Sequence, residues 1–219
     1  MTDTPDPHAL ASAAVSSTSV SDTVDDHGLS GAVVDGLEPV ATHASPAIGR
    51  ARTATLVSSE DPGIPGIADF FDTVSEGDVL VLGWAVEDDP RPISTLGGLA
   101  GRRVSGLGAR AVVTDGWVRD IAELTATSLT VWASGSTPRS GKGRIAVTKV
   151  GDPTEVGGVQ VNDGDLVVAD ATGVCVVAAK DLAAAIQGAT DLEERDAAFE
   201  ERLVDGQSFG DAAQETGTM

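Results

Sequence analysis

The 219-residue chain is long enough for one domain with a substantial hydrophobic core. Its 34 Asp and Glu residues outnumber 14 Lys and Arg, and the resulting net charge of −20 disfavours direct binding to nucleic acid or to an anionic membrane surface. One cysteine excludes a disulfide framework, and the three histidines, all before residue 50, have no His or Cys partner at the spacing of a zinc site.

The N-terminal residues 1–18 are rich in Ser, Thr, Ala, Asp and Pro, and they predict a flexible tail. They have neither the basic start nor the apolar stretch of a signal peptide or membrane anchor. No later segment reaches the roughly 20 apolar residues that a membrane-spanning helix needs. A soluble cytoplasmic protein is therefore expected. The segment SVSDTVDDHGL at 19–29 predicts a first helix with a polar N-cap and an end near Gly28.

Two units of helix followed by strand come next. The apolar spacing of 64–74 predicts a helix before a buried strand at 79–83. The Gly-rich segment 93–108 predicts a second helix before a buried strand at 110–116, and the β-branched segment 129–135 predicts another strand. Such alternation is typical of parallel strands joined by crossover helices.

The pattern changes in the second half of the chain. Segments 143–151, 157–170 and 173–179 predict strands separated by short Gly, Asn and Asp turns, which favours antiparallel hairpins. The last of these contains Cys175, which is interpreted as a small buried hydrophobe. The Ala-, Leu- and Glu-rich segment 178–203 predicts one or two helices, packed outside the sheets or on a neighbouring subunit.

Two Gly-rich segments superficially resemble nucleotide-binding motifs. In GSTPRSGKG, at 135–143, Gly141 lies one position later than a P-loop requires, and Lys142 precedes Gly143 instead of Ser or Thr. SGLGAR, at 105–110, precedes a strand instead of following one, which favours a helix end over a dinucleotide fingerprint. Neither segment supports nucleotide binding.

The segment DGWVRD, at 115–120, points to chemistry because it follows a buried strand, at the edge where parallel sheets usually place their sites. Arg119 can hold a carboxylate with two hydrogen bonds, and Asp120 can bind a hard divalent cation. Together the two residues could bind an anionic keto acid across a metal. The alternative is that Arg119 and Asp120 only neutralise each other in a loop.

A series of motifs in the chain resembles one family, the class II 4-hydroxy-4-methyl-2-oxoglutarate aldolases together with the proteins named regulator of RNase E activity A. The resemblance runs from about 19 to 210 through SVSDTVDDHGL, GDVLVLG, STLGGLA, GARAVVTDGWVRD, WASGSTPR, EVGGVQVNDGDLVVADATGV and RDAAFEERLVDGQSFGD. It implies an α/β fold: an α/β/β sandwich with mixed parallel and antiparallel strands over 19–187, followed by a C-terminal helix and tail at 188–219. It also implies a homotrimer or hexamer with active sites between subunits.

The resemblance further implies cleavage of a 4-hydroxy-2-oxo acid to pyruvate and a second keto acid, or decarboxylation of oxaloacetate, with Mg²⁺ or Mn²⁺. Both reactions pass through an enolate of pyruvate, whose charge a metal ion can stabilise. In this family's pattern, Arg119 holds the pyruvyl carboxylate and Asp120 binds the metal. Further backbone donors are implied around Leu96, Gly97, Gly98 and Leu99.

The chain departs from the family pattern at positions around this pair. Many of the aldolases have Asp or Glu where this chain has Gly98. The family's Glu from an adjacent subunit has its nearest counterpart in Asp196, with Glu193 and Glu194 as rivals. Trp117 replaces a commonly small residue, so it could reshape the pocket and contact an apolar or aromatic part of a substrate.

Three functional hypotheses remain open on the sequence. The first is a metal-dependent lyase acting on an oxo acid, and the second is an interaction protein that inhibits an RNA-degrading enzyme. The third is the same scaffold redirected to another substrate. Asp88 and Asp89 are interpreted either as a charged loop or as carboxylates that compensate for Gly98.

Overall fold

The computed structural model describes residues 15–59, 66–85 and 92–217. The helices are α1 (Ser17–His27), α2 (Ile67–Phe71), α3 (Gly98–Gly106), α4 (Ile121–Thr125), α5 (Leu182–Val204) and α6 (Phe209–Thr216), with a 3-10 turn at Ala179–Asp181. The strands are β1 (Gly31–Val33), β2 (Glu38–Ala41), β3 (Ala47–Ser58), β4 (Asp78–Trp84), β5 (Ser94–Leu96), β6 (Ala111–Thr114), β7 (Trp117–Val118), β8 (Thr130–Ala133), β9 (Ile145–Val150), β10 (Thr154–Val156), β11 (Val159–Val161), β12 (Leu166–Ala169) and β13 (Val174–Val177).

A mixed sheet organises the described part of the chain. Its strand order is β1-β13-β12-β3-β4-β6-β8-β2, and β9 pairs with the second half of β3. Strands β3, β4, β6 and β8 are parallel, as the alternation of helices and strands predicted, whereas the outer pairings are antiparallel. Consequently the carboxyl ends of β4, β6 and β8 lie at one edge of the sheet.

The sheet is covered on both faces, because successive strand residues point to opposite sides. On one side, Leu82 and Val112 join Phe70, Val104 and Leu124 from helices α2 to α4 in one buried cluster. On the other side, β4 and β6 pack against the antiparallel hairpin formed by β10 and β11. Three layers result, namely helices, central sheet and hairpin, which is the α/β/β sandwich implied by the resemblance.

A third buried cluster joins the N- and C-terminal helices to the antiparallel end of the sheet. Val20 of α1 and Leu182 of α5 pack with Leu166 and Cys175. Burial raises the pKa of the Cys175 thiol to about 11, with a smaller effect from the charge of Asp25, so the thiol is a poor nucleophile at neutral pH. The interpretation of Cys175 as a buried hydrophobe is confirmed.

The first helix ends before Gly28 as predicted, but it begins at Ser17, so Ser17 and Thr18 of the predicted tail are helical. Ser16 caps it by accepting from the backbone N–H of Ser19, and Gly28 ends it with φ 62° and ψ 38°. The Asp170 carboxylate, from the end of β12, accepts from both the backbone N–H and the hydroxyl of Ser17. These hydrogen bonds tie the start of α1 to the sheet.

Two parts of the sequence prediction need correction or stay untested. The helix predicted over 93–108 is wrong at its start, since Ser94–Leu96 forms strand β5 and the helix begins at Gly98. Residues 1–14 of the predicted tail, residues 64 and 65 of the helix predicted over 64–74, and Asp88 and Asp89 lie outside the described residues. No helix in the described part of the chain is long and apolar enough to cross a membrane.

Candidate active site

Arg119 and Asp120 lie where the chain passes from β7 to α4. Strand β7 pairs in parallel with β5, and the backbone N–H of Arg119 donates to the Leu96 carbonyl over 3.0 Å. Asp120 has φ 58° and ψ 47°, and it is the one residue other than glycine with positive φ among the residues described. A left-handed Asp costs about 1–3 kcal/mol, so the surrounding structure must hold this backbone in place.

The conformation of Asp120 turns its side chain towards the start of α3. Its Oδ2 accepts from the backbone N–H of Gly98 over 3.1 Å and lies 3.4 Å from Nε of Arg119. A Cβ on Gly97 would lie 2.9 Å from that Nε and 3.1 Å from Oδ2, so a glycine at 97 allows the charged pair to approach the backbone. The side chains of Arg119 and Asp120 remain 37% and 39% exposed, so a ligand can reach them.

The first turn of α3 offers backbone donors beside this pair. Its N-cap, Gly97, has no side chain with which to cap the helix, and the nearest intrahelical bond runs from Gly101 N–H to the Gly97 carbonyl. The N–H groups at such a helix start favour an anion. Leu99 and Ala100, both in this turn, line a cavity next to Arg119.

The cavity has a volume of about 350 Å³ and a mixed lining. Arg119 and Lys142 supply positive charge, whereas Leu99 is 79% exposed although it is apolar. A ligand could therefore place an anionic group near Arg119 and an apolar group against Leu99. The remaining lining includes Gly66, Ile67, Ala68, Phe71, Ser94, Thr95, Ser140, Gly141, Gly143 and Ile145.

The predicted backbone donors are only partly brought to this cavity. Gly97 and Leu99 line it, and Gly98 donates to Asp120. Leu96 is 1% exposed and contributes its carbonyl to the Arg119 backbone instead. Trp117 is not among the residues that line the cavity, because its ring lies against Gly135, whose Cβ would be 2.8 Å from the ring.

The first carboxylate of DGWVRD is directed away from the pair. Asp115 Oδ1 accepts from the backbone N–H of Trp84 over 2.6 Å, and the backbone of Gly157 in the hairpin also hydrogen-bonds to the carboxylate. Burial raises the pKa of Asp115 to about 6, and the charge of Glu155 adds to the increase. Asp115 therefore belongs to the packing of the hairpin against the sheet.

The carboxylates proposed to come from a neighbouring subunit lie on α5. Asp196 is exposed, and no residue of α5 lines the cavity of the same chain. Glu193 accepts from the backbone N–H and the hydroxyl of Ser16, at 3.1 and 2.8 Å. Of the rivals, Glu193 is therefore engaged within its own chain, and Asp196 stays a prediction.

Sequence reasoning missed two parts of the site. The loop Ser140–Gly143, rejected as a P-loop, forms one wall of the cavity and brings Lys142 to it. Glu123 occupies the space beside Gly98. A Cβ built on Gly98 would lie 2.7 Å from the Cδ of Glu123 and 2.8 Å from the Cβ of Glu123. The available signal for Glu123 was an acidic residue three positions after Asp120, in the first turn of the next helix.

The donor set limits which metal the site could hold. In the described ranges, no group of three or more His, Cys, Asp or Glu side chains is arranged to hold a metal ion. Asp120 offers a partly exposed carboxylate whose Oδ1 has no hydrogen bond to a described residue. Magnesium-type ions commonly keep several waters and bind through one or two carboxylates, so Asp120 fits such an ion and not zinc.

Comparison with known proteins adds a family match. The family model described as RraA-like, Aldolase/RraA, matches residues 17–176. An uncharacterised protein of Methanocaldococcus jannaschii is 33% identical over 115 residues, which cover 52% of this chain and 55% of that protein. A Halalkalibacterium halodurans protein, provisionally named 4-hydroxy-4-methyl-2-oxoglutarate aldolase, is 31% identical over 130 residues, or 59% of each protein. The chain thus matches less than two thirds of the length of these relatives.

A solved structure supports the fold. RraAS2 of Streptomyces coelicolor, described as an unusual member of the RNase ES inhibitor RraA protein family, superposes with a TM-score of 0.73 and 24% identity. The superposition covers 89% of this chain and 96% of that one. At this identity the likeness concerns the fold and not the activity.

Proposed function

The chain belongs to the RraA-like family, and on that premise we propose that it is a divalent-metal-dependent lyase acting on a 2-oxo acid. The reaction is retro-aldol cleavage of a 4-hydroxy-2-oxo acid to pyruvate, decarboxylation of oxaloacetate, or both. One observation carries the proposal: Arg119 lines the cavity and pairs with Asp120, whose carboxylate accepts from the N–H of Gly98 at the start of α3.

Arg119 binds the carboxylate of the substrate. Its guanidinium lines the cavity and is 37% exposed, so it can form two parallel hydrogen bonds to a carboxylate. The N–H groups in the first turn of α3 add donors on the same side. In a protein of net charge −20, this local positive potential is what allows an anionic substrate to bind.

Asp120 supplies the metal-binding carboxylate. When bound, Mg²⁺ or Mn²⁺ provides a Lewis acid for the negative charge that both reactions leave on the pyruvyl fragment. The αL backbone of Asp120 turns its side chain towards the start of α3, where the Gly98 N–H donates to Oδ2 and orients the carboxylate. The carboxylate therefore needs little rearrangement to serve this role.

The second half of the substrate would lie in the cavity. Phe71 and Ile145 are each 6% exposed and form part of its wall, while Lys142 adds a cation. We propose that Asp196 completes the site of a neighbouring subunit in a homotrimer or hexamer, because α5 presents it on the surface of its own chain.

Pyruvate release tests this function. The purified protein is incubated with oxaloacetate or 4-hydroxy-4-methyl-2-oxoglutarate and Mg²⁺ or Mn²⁺, and pyruvate is followed with a coupled dehydrogenase against a blank that contains metal but no protein. Arg119→Ala is expected to lower kcat/KM by at least about 100-fold. The matched control is Arg103→Ala, which removes an exposed arginine of α3 that forms an ion pair with Asp72.

Two results would count against the proposal. One is the absence of pyruvate from both substrates with both metals. The other is equal activity of the Arg119 and Arg103 variants. Co-purification with an RNA-degrading enzyme, unchanged by Asp120→Ala, would instead favour the interaction protein that the sequence left open.

A further inference from the structure

Gly98 and Glu123 share one space in the structure. A Cβ built on Gly98 would lie 2.7 Å from Cδ of Glu123 and 2.8 Å from its Cβ, and it would lie even closer to Oε2. Real side chains do not approach this closely. A side chain at position 98 in this backbone would therefore press on the Cβ of Glu123 and displace its carboxylate.

The same glycine also contacts the metal-binding carboxylate. The backbone N–H of Gly98 donates to Asp120 Oδ2 over 3.1 Å. Asp120 is the N-cap of α4, and Glu123 follows in its first turn, with its backbone N–H bonded to the Asp120 carbonyl over 2.9 Å. Both carboxylates thus lie against Gly98, that of Asp120 at its N–H and that of Glu123 where a Cβ would be, and both residues belong to the start of α4.

We propose that Glu123 supplies the second carboxylate of the site, in the space that glycine leaves open at 98. It adds negative charge and acceptor oxygens next to Asp120 and so strengthens the binding of the divalent cation. This inference rests on the metal dependence in the proposed function. It explains why the first turn of α3 can lack an acidic side chain.

A purely structural role for Glu123 makes a different prediction. Its Oε2 lies 3.2 Å from Nη2 of Arg102 on α3, and these side chains are 44% and 60% exposed. Such an exposed ion pair contributes little to stability. If Glu123 only joined the two helices, then removing either partner would have the same effect on the protein.

Manganese binding distinguishes these roles without a measurement of activity. Free Mn²⁺ is titrated by electron paramagnetic resonance against the full-length protein, at an ionic strength that screens its surface charge. We expect Glu123→Gln to weaken Mn²⁺ binding by about 10-fold, as is usual for a group that supports a metal ligand. Arg102→Gln keeps the carboxylate and removes the cation paired with it, so this variant should bind Mn²⁺ at least as tightly as the wild type. Asp26→Asn, which removes an exposed carboxylate on α1, is the matched control for lost charge.

A rescue variant addresses the shared space. Glu123→Gly also removes the Cβ that would lie 2.8 Å from a Cβ at position 98, so it should make room for Gly98→Asp. The double variant is expected to bind Mn²⁺ more tightly than Glu123→Gly alone. Urea unfolding of each variant establishes that it is folded.

The outcomes separate this inference from the proposed function. Equal Mn²⁺ affinities for the Glu123→Gln and Arg102→Gln variants, or no rescue by Gly98→Asp, would overturn the role of Glu123. If Asp120→Asn abolished binding while Glu123→Gln did not weaken it, the metal site would stand without Glu123. Unchanged binding by Asp120→Asn would refute the metal site itself.

Discussion

Replacing Asp115 with Asn should make the stability of the protein less dependent on pH. The Asp115 carboxylate lies between the end of β4 and the hairpin of β10 and β11, and burial raises its pKa from 3.8 to about 6. Hydrogen bonds from the backbone N–H groups of Trp84 and Gly157 oppose that increase but do not cancel it. The folded protein therefore binds this proton more tightly than the unfolded chain does.

The sign and size of this pH dependence follow from the linkage between proton binding and folding. Because the pKa is higher in the folded state, the contribution of Asp115 to stability is fully present below about pH 3.8 and is lost as the pH rises through about 6. The whole difference corresponds to about 3 kcal/mol, of which about 2 kcal/mol falls between about pH 4.5 and about pH 7.5. Asparagine does not titrate, and its amide oxygen can still accept from Trp84.

Urea unfolding followed by tryptophan fluorescence, at both pH values and one protein concentration, measures this effect. The free energy of unfolding of Asp115→Asn, relative to wild type, should increase by about 2 kcal/mol from the lower to the higher pH. Asp26→Asn, at an exposed position in α1, corrects for the loss of one charge from a strongly acidic protein. A constant difference between Asp115→Asn and wild type across this range would refute the reasoning.

Two further substitutions test the packing around the site. Gly97→Ala places a methyl group 2.9 Å from Nε of Arg119, and it should weaken oxalate binding in the presence of Mn²⁺ by about 10-fold in calorimetry. Gly106→Ala has open space in the same helix and should leave binding unchanged. Leu124→Ala removes a fully buried side chain that packs against Gly101, and it should lower the free energy of unfolding by about 2–5 kcal/mol in urea. A loss below 1 kcal/mol would contradict that packing.

Local sequence determined much of the secondary structure. Helix α1 has a Ser cap directly before its first residue and a Gly stop directly after its last. Both signals act within one helical turn. The buried strands β4 and β6 are short apolar runs, which the sequence also identified. Strand β5 was missed because its three residues form a strand only by pairing with β7, more than 20 residues later.

The sequence by itself also determined the family and the adjacent pair Arg119 and Asp120, because motif order and covalent neighbours are fixed by the chain. Only the tertiary structure decided what surrounds the pair. Asp115 is close in sequence but is directed to the hairpin, whereas Lys142 reaches the cavity from a distant loop. Glu123 fills the space at Gly98 because two helix starts meet there, and no local pattern specifies how two such elements pack together.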